Sequence, residues 1–262
     1  MHLPASQALA PELRVVASSP STNTELADLA RADAMPDFTV LVTDHQTAGR
    51  GRLDRTWVTP AGSALAISVL LVPRAGSGPL PVERFGWLTI AAGVAMTQAV
   101  SAVLPAASVA LKWPNDVLAN GRKICGVLAE LIPERGAVVI GAGVNLAMTT
   151  DELPVTTATS VRIEGGDPDP DTVLAGYLEC LRGLVAAYAA ADGDAERSGL
   201  AGRAGEVCTT LGREVRVDLP GGRILEGTAV ALDSDARLVV RARDGIEHAV
   251  AAGDVTHARL SG

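Results

Sequence analysis

Apolar runs of strand length and apolar positions at helical spacing succeed one another along the first two hundred residues. LRVVA (13–17) reads as a strand, and SSPSTNTELADLARA after it as a polar turn and a helix. Thr22 and Glu25 have capping-box spacing ahead of Leu26, Leu29 and Ala30. TVLVT (39–43) and ALAISVLLV (64–72) are continuous apolar runs, the pattern of buried strands. PRAGSGPLP punctuates the chain, and Leu88, Ala91, Ala92, Ala95, Met96, Ala99 and Val103 then recur at helical spacing, predicting a long, mostly buried helix. VALKW, VLANGRKICGVLAEL and AVVIGAGVNLAM follow as strands, with Asn120-Gly121 as a hairpin turn. A loop rich in Thr, Asp and Pro (149–172) leads into a helix over 171–191 and a shorter one ending near 206.

Beyond Gly212 the texture changes. EVRVDLPGGRILEGTAVALDSDARLVVRARDGIEHAV alternates apolar and polar residues, with turns at Pro220-Gly221-Gly222, Asp233 to Asp235 and Asp244-Gly245. Such closely spaced short strands suit a small closed barrel of SH3-like type. The pattern therefore predicts an α+β protein: a mixed sheet backed by helices over residues 1–208, then the small barrel over 209–262.

Composition narrows the function. A formal charge of −8 argues against a general nucleic-acid or membrane-surface binder, which would want a basic face. In the sequence no apolar run has the length of a spanning helix, and MHLPASQALAPELR lacks the form of a signal peptide, so a cytoplasmic protein is predicted. Cys125, Cys180 and Cys208 are widely separated and lack CxxC spacing, which predicts free thiols, with Cys125 a small core residue.

Against that acidic background HQTAGRGRLDRTW (45–57) stands out. Arginine stays protonated, so Arg50, Arg52 and Arg55 cannot act as acid–base catalysts, but their planar forks match carboxylate and phosphate oxygens. Gly49 and Gly51 permit close approach of backbone to a ligand and a loop that closes over it. A solvated loop or an RNA-binding Arg-Gly turn is the alternative.

A second constellation is KWPNDVLANGRK (112–123). Lys112 and Lys123 are the chain's two lysines, and the other twenty of its 22 Lys and Arg are arginine. Two lysines retained this close together point to places that need a compact, rotatable ammonium. Pro114 restricts Trp113 to extended geometry, and Asn115-Asp116 offers oxygens to a hard cation such as magnesium; a simple turn or cap is the alternative. There is no GxxxxGK[ST], GxSxG or HExxH, and GAGVNLA (141–147) only weakly imitates a dinucleotide fingerprint.

Taken together and in order, STN (21–23), HQTAGRGRLDRTW, KWPND (112–116), RKICGVLAE (122–130) and GAGVN (141–145) resemble the biotin protein ligases over essentially the whole chain. The resemblance implies a catalytic domain related in fold to class II aminoacyl-tRNA synthetases and lipoate ligases, followed by an SH3-like barrel. It implies two steps: biotin and MgATP give biotinyl-5′-AMP and pyrophosphate, and a lysine of an acceptor protein then attacks the mixed anhydride.

By matching motif positions, Ser21, Thr22, Asn23, Gln46, Arg50, Gly51, Arg52, Trp57, Lys123 and Gly126 are implied in binding biotin or its adenylate. Arg55, Lys112, Asn115, Asp116 and Asn145 are implied on the ATP side, with Asp116 serving magnesium. Lys123, Arg52, Lys112 and Asp116 form the implied catalytic set. ATP, Mg2+ and biotin are consumed or recruited, with no tightly bound prosthetic group. The implied partner is the biotin carboxyl carrier domain of biotin-dependent carboxylases, and the implied state a monomer or weak homodimer. Family members that bind DNA carry a winged helix before the catalytic domain; only a dozen residues precede the first strand here, so no DNA binding is expected, and the acidic balance and lack of a spanning run predict no membrane binding. A lipoate ligase is the nearest alternative enzyme, but its Arg-Arg-x-x-Gly-Gly-Gly type of loop is not GRGRLDRTW.

Overall fold

The structure, a computed structural model, describes residues 1–33, 35–52, 55–57, 59–76, 78–219, 223–251 and 254–257; in the last stretch Val255 alone has its side chain described. Helix α1 (Pro4–Leu9) leads into strand β1 (Leu13–Val15), helix α2 (Thr22–Ala32) and strand β2 (Val40–Thr43). Two-residue strands β3 (Gly49–Arg50) and β4 (Thr56–Trp57) form a small ribbon ahead of β5 (Ala64–Leu71). A second ribbon, β6 (Arg74–Ala75) and β7 (Gly78–Pro79), precedes α3 (Gly86–Val103). Then come β8 (Val109–Lys112), β9 (Asp116–Ala119), β10 (Arg122–Ile132), β11 (Ala137–Asn145), α4 (Pro170–Ala190) and α5 (Leu200–Val207).

Seven of these strands form one sheet in the order β1-β2-β5-β11-β10-β9-β8. β1 and β2 are parallel and the other neighbours antiparallel, so the sheet is mixed as the pattern predicted. Asn120 (φ 49°) and Gly121 (φ 77°) both take left-handed backbone at the β9–β10 hairpin, the conformation that Asn-Gly adopts readily.

The two faces of the sheet differ, and that difference positions the site. On β11 Val138, Ile140, Ala142 and Val144 join the large core with α3 and α4, as do Leu65, Ile67, Val69 and Leu71 of β5. Because side chains alternate across a strand, the other set of positions faces α2, where Val139 and Leu70 pack with Leu26, Ala27 and Ala30. Further along that second face stand Ala66, Ser68, Gly141 and Gly143, too small to fill the space above them. A hollow results beside the N-terminus of α2.

By length and mean hydropathy, Val82–Val103 and α4 would pass for membrane spans, contrary to the sequence expectation. Their apolar surfaces have another explanation: α3 is apolar nearly all round because it is buried between the sheet and α4. The helix cap also differs from expectation. Ser21, not Thr22, is the N-cap of α2, its Oγ accepting from Thr24 N, and Glu25 instead accepts from the Ser19 hydroxyl.

Strands β12 (Glu214–Asp218), β13 (Ile224–Leu232), β14 (Leu238–Ala242), β15 (Glu247–Val250) and β16 (Asp254–His257) form a separate antiparallel sheet, ordered β15-β14-β13-β12-β16. The turn predicted at Pro220-Gly221-Gly222 lies outside the described residues. The predicted turns at 233–235 and 244–245 are present.

Candidate active site

The hollow is the mouth of a cavity of ≈ 370 Å³. Its floor is the sheet face at Ala66, Gly141 and Gly143, its head wall the first turn of α2, and its sides the β3–β4 ribbon and the β8–β9 turn. Glycine is required in the floor. A Cβ on Gly141 would run into the Asn23 amide, and one on Gly143 would lie 2.7 Å from the Trp57 indole.

At the head wall Ser21, Thr22 and Asn23 are buried with Ser68 beneath them. Thr22 N and Oγ1 donate to Gln46 Oε1 at 3.0 and 3.2 Å. Ser68 Oγ lies 2.8 Å from Thr22 Oγ1 and 2.6 Å from Asn23 Oδ1, while Asn23 Nδ2 donates to Leu128 O. Buried polar groups that satisfy one another in this way are held at fixed positions and present a shaped set of donors and acceptors to a ligand. Ser68 carried no sequence signal, since it sits inside an apolar strand.

The opposite end is cationic. Arg50, Arg52, Arg55, Lys112 and Lys123 line the cavity, against one carboxylate, Asp116, among the described lining residues. Lys123 Nζ is 2.6 Å from Asp116 Oδ1 and 5.7 Å from the centre of the Trp57 ring, which suits a cation over an aromatic face. A β-bulge between Lys123 and Cys125 offsets the β9–β10 register there. Arg52 Nη1 donates to Asn115 Oδ1 at 3.0 Å, and Asn115 Nδ2 donates to Val127 O. Arg50 pairs with Glu130 and donates to Thr24 Oγ1 near the rim. Gly51 N donates to Arg55 O at 2.6 Å, closing the turn of the arginine loop; the residues between Arg52 and Arg55 lie outside the described set.

Thus Ser21, Thr22, Asn23, Gln46, Arg50, Gly51, Arg52, Arg55, Trp57, Lys112, Asn115, Asp116, Lys123 and Gly126 are brought together around one cavity. Asn145 is not. Parity puts it on the same face of β11 as Gly141 and Gly143, but its Nδ2 donates to Thr159 O and the residue is buried at the strand end, outside the lining. The GAGVN stretch lies within β11, so it forms no glycine loop leading into a helix.

The Trp113–Pro114 peptide at the β8–β9 turn is cis, where Pro114 was read only as a restriction on Trp113. Cys125 is fully buried, and loss of solvent pushes its thiol well above the ordinary range, as suits an inert core residue.

Residues 15–145 match the biotin/lipoate A/B protein ligase family, and residues 210–257 match the biotin protein ligase C-terminal domain. The chain is 35% identical over 250 residues to the biotin--[acetyl-CoA-carboxylase] ligase of Mycobacterium tuberculosis, covering 95% of this chain and 90% of that one. A biotin protein ligase from Aquifex aeolicus in complex with biotin and ATP superposes with a TM-score of 0.74 at 26% identity, covering 95% of this chain and 99% of that one. A biotin protein ligase from Leishmania major in complex with biotinyl-5-AMP gives a TM-score of 0.60 at 29% identity, over 92% of this chain and 99% of that one. With its motifs gathered around one cavity and its likeness to these enzymes running nearly end to end, the chain belongs to the biotin protein ligase family.

Proposed function

We propose that the cavity is where this ligase joins biotin to ATP and then to an acceptor lysine, with each end of the cavity serving one part of the chemistry. The observation that carries the reading is the polarity of the cavity. A neutral, buried, hydrogen-bonded head wall faces a cluster of five cations across a floor of small residues. A urea ring with its donors and acceptors suits the Ser21-Thr22-Asn23-Gln46 end, and its aliphatic tail suits the floor, directing the carboxylate toward Lys123 and Arg52.

In the first step a biotin carboxylate oxygen attacks the α-phosphorus of ATP, and the bond to the bridging oxygen of the β-phosphate breaks. Pyrophosphate leaves and the mixed anhydride biotinyl-5′-AMP remains. Carboxylate and triphosphate repel each other, so fixed cations aimed at the developing charge lower the barrier. Lys123, Arg50 and Arg52 are assigned to the carboxylate and the α-phosphate, and Lys112, Arg55, Asn115 and Asp116 to the remaining phosphates. In the second step the acceptor amine attacks the acyl carbon, AMP departs with the bonding electrons, and the amine loses a proton as the amide forms.

Magnesium fits this donor set as a companion of the nucleotide. Among the described residues no three His, Cys, Asp or Glu side chains cluster as a cage for a metal ion. Mg2+ is commonly held by one or two carboxylates and substrate phosphates, and Asp116, with Asn115 beside it, supplies that much. The ion's contribution when bound is to offset phosphate charge.

The acceptor is assigned as a biotin carboxyl carrier domain, the catalytic unit to residues 1–208 and an SH3-like barrel to 209–262. The antiparallel strand order and the bulge between Ala229 and Ala231 support the barrel, and three free thiols agree with a cytoplasmic setting. The test is ATP/pyrophosphate exchange with biotin, with lipoate or with neither. Exchange that requires biotin is expected; exchange indifferent to biotin, or stimulated by lipoate instead, would overturn the reading.

A further inference from the structure

Two of the chain's three tryptophans donate their indole N–H to a single turn of the C-terminal sheet. Trp87, at the start of α3, donates to Ser234 O at 3.0 Å, and Trp113, at the end of β8, donates to Ala236 O at 3.1 Å. Both side chains are 2% exposed. The turn they grip is built to hold its shape. Asp233 accepts from Asp235 N and Arg237 N at 2.9 and 3.0 Å and from Arg237 Nε at 2.7 Å, and Ala236 takes left-handed backbone at φ 62°. Gly86 admits the turn closely, since a Cβ there would lie 2.5 Å from Asp235 O.

The two contacts differ in where they lead. Trp87 opens a core helix and is not among the residues that line the cavity, whereas Trp113 lies in the cavity wall and is followed at once by Pro114, Asn115 and Asp116. Trp113 is held at its other side too, its N–H donating to Thr210 Oγ1 at 3.0 Å, a residue that opens the C-terminal segment. Its ring and backbone are thus both fixed by groups from beyond residue 208.

We infer that Trp113 is a positioning residue through which the 233–237 turn sets the placement of Asn115 and Asp116, so that use of ATP, and not capture of biotin, depends on this joint. The inference rests on the assignment of Asn115 and Asp116 to ATP made above. Replacing an indole by a benzyl group keeps a large apolar side chain and removes the hydrogen bond. Trp87→Phe is the matched control, because it removes a bond to the same turn without touching the cavity.

The experiment is biotin-dependent ATP/pyrophosphate exchange on the full chain, titrated separately in MgATP and in biotin, for Trp113→Phe, Trp87→Phe, Asp233→Ala and Asn115→Ala. Trp113→Phe and Asp233→Ala are expected to raise the KM for MgATP about three-fold to ten-fold, the range set by one lost neutral hydrogen bond, with the KM for biotin within about two-fold of wild type. Trp87→Phe is expected to lower the melting temperature as Trp113→Phe does while leaving both KM values near wild type. An unchanged Trp113→Phe, an equal loss on both substrates, or a Trp87→Phe indistinguishable from Trp113→Phe would overturn the inference. If Trp113→Phe does not fold, Asp233→Ala decides: no selective change in MgATP overturns it. Asn115→Ala separates the two levels. Impairment with MgATP there, beside a normal Trp113→Phe, removes the joint and keeps the ATP assignment; no impairment in Asn115→Ala removes the assignment and the joint with it.

Discussion

The two walls of the cavity are held in opposite ways. The β8–β9 turn is an extension of the central sheet: Lys112 pairs with Asp116, Asp116 with Gly126, and Val127 N donates to Asn115 O at 2.8 Å. The arginine loop is tied by a ribbon of two residue pairs and by Thr47 N and Ala48 N donating to the turn at Ser19 and Pro20. Its charged side chains reach outward to polar partners, Arg50 to Glu130 and Arg52 to Asn115. One wall is therefore assembled by folding, while the other is completed by an ion pair and a hydrogen bond to a neutral amide, both of which an incoming anion can replace. A carboxylate or phosphate entering between Arg52 and Asn115 exchanges one charge-assisted hydrogen bond for another, which allows tight closure without a new core.

Breaking the fixed wall should cost most. Lys123, on β10 beside this wall, is a cavity-lining cation already paired with Asp116 at the start of β9. Lys123→Ala is expected to slow adenylate formation by about a hundred-fold to a thousand-fold, as loss of a preorganised donor at developing charge does. Single-turnover formation of biotinyl-5′-AMP at near-normal rate would show that its charge is dispensable.

Next comes the floor, where the two walls meet. Gly143→Ala places a methyl group 2.7 Å from the Trp57 indole and must shift that ring, and with it the end of the arginine loop. Because displacement of about 1 Å costs on the order of a hundred-fold, adenylate formation should fall by about ten-fold to a hundred-fold while melting changes little. Unaltered kinetics would mean that Trp57 is not part of the closed site.

A smaller effect is expected from the loop alone. Arg52→Gly removes its bond to Asn115 and adds backbone freedom, so the adenylate should escape about ten-fold faster and acylate bystander lysines. Little label is expected on the chain's own side chains, since it has two lysines, of which Lys123 is already paired with Asp116, and the rest of its Lys and Arg are arginine. Peptide mapping after incubation with biotin, MgATP and a lysine-rich bystander measures both. Abundant label on this chain, or none on the bystander, would contradict the expectation.

The same contrast explains what the sequence made legible. Contiguous motifs with unusual chemistry, the arginine loop and KWPND with its lysines, were visible because polar residues stood out between apolar runs. The strands and main helices followed from period. What stayed hidden depends on chain segments far apart: Ser68 beneath Thr22 and Asn23, Glu130 opposite Arg50, and Trp113 against Ala236. Each is a common residue in an ordinary position until the sheet register places its partner. Asn145 shows the converse, for it shares a strand face with the floor glycines, yet at the strand end its amide donates to the Thr159 carbonyl. The cap of α2 slipped by one residue for a related reason: Ser21 and Thr22 are both good caps, and Thr22 was needed by Gln46.

The smallest predicted effect concerns the support behind the fixed wall. Burial works against ionisation of Asp233, but the N–H groups of Asp235 and Arg237 and the Arg237 side chain outweigh it and hold its pKa below the ordinary value. Glu164 is similar: burial is opposed by the Thr159 hydroxyl, the Asn120 amide and Arg122, and the net shift is downward. A folded pKa below the unfolded one means that the unfolded chain binds the proton more readily. The stabilisation is therefore complete above the unfolded values, about 3.9 for Asp and about 4.3 for Glu, and disappears as pH falls through the lower folded values. Denaturation midpoints should accordingly drop in acid below about pH 4, and Asp233→Asn and Glu164→Gln should each be less stable at neutral pH yet flatter in that acid limb. The two variants also test the comparison of walls. Asp233 shapes the turn that Trp113 grips, whereas Glu164 ties the far end of the β9–β10 hairpin, so an acid-sensitive KM for MgATP should flatten in Asp233→Asn and persist in Glu164→Gln. Identical pH profiles in both variants would leave the C-terminal turn as scaffold alone.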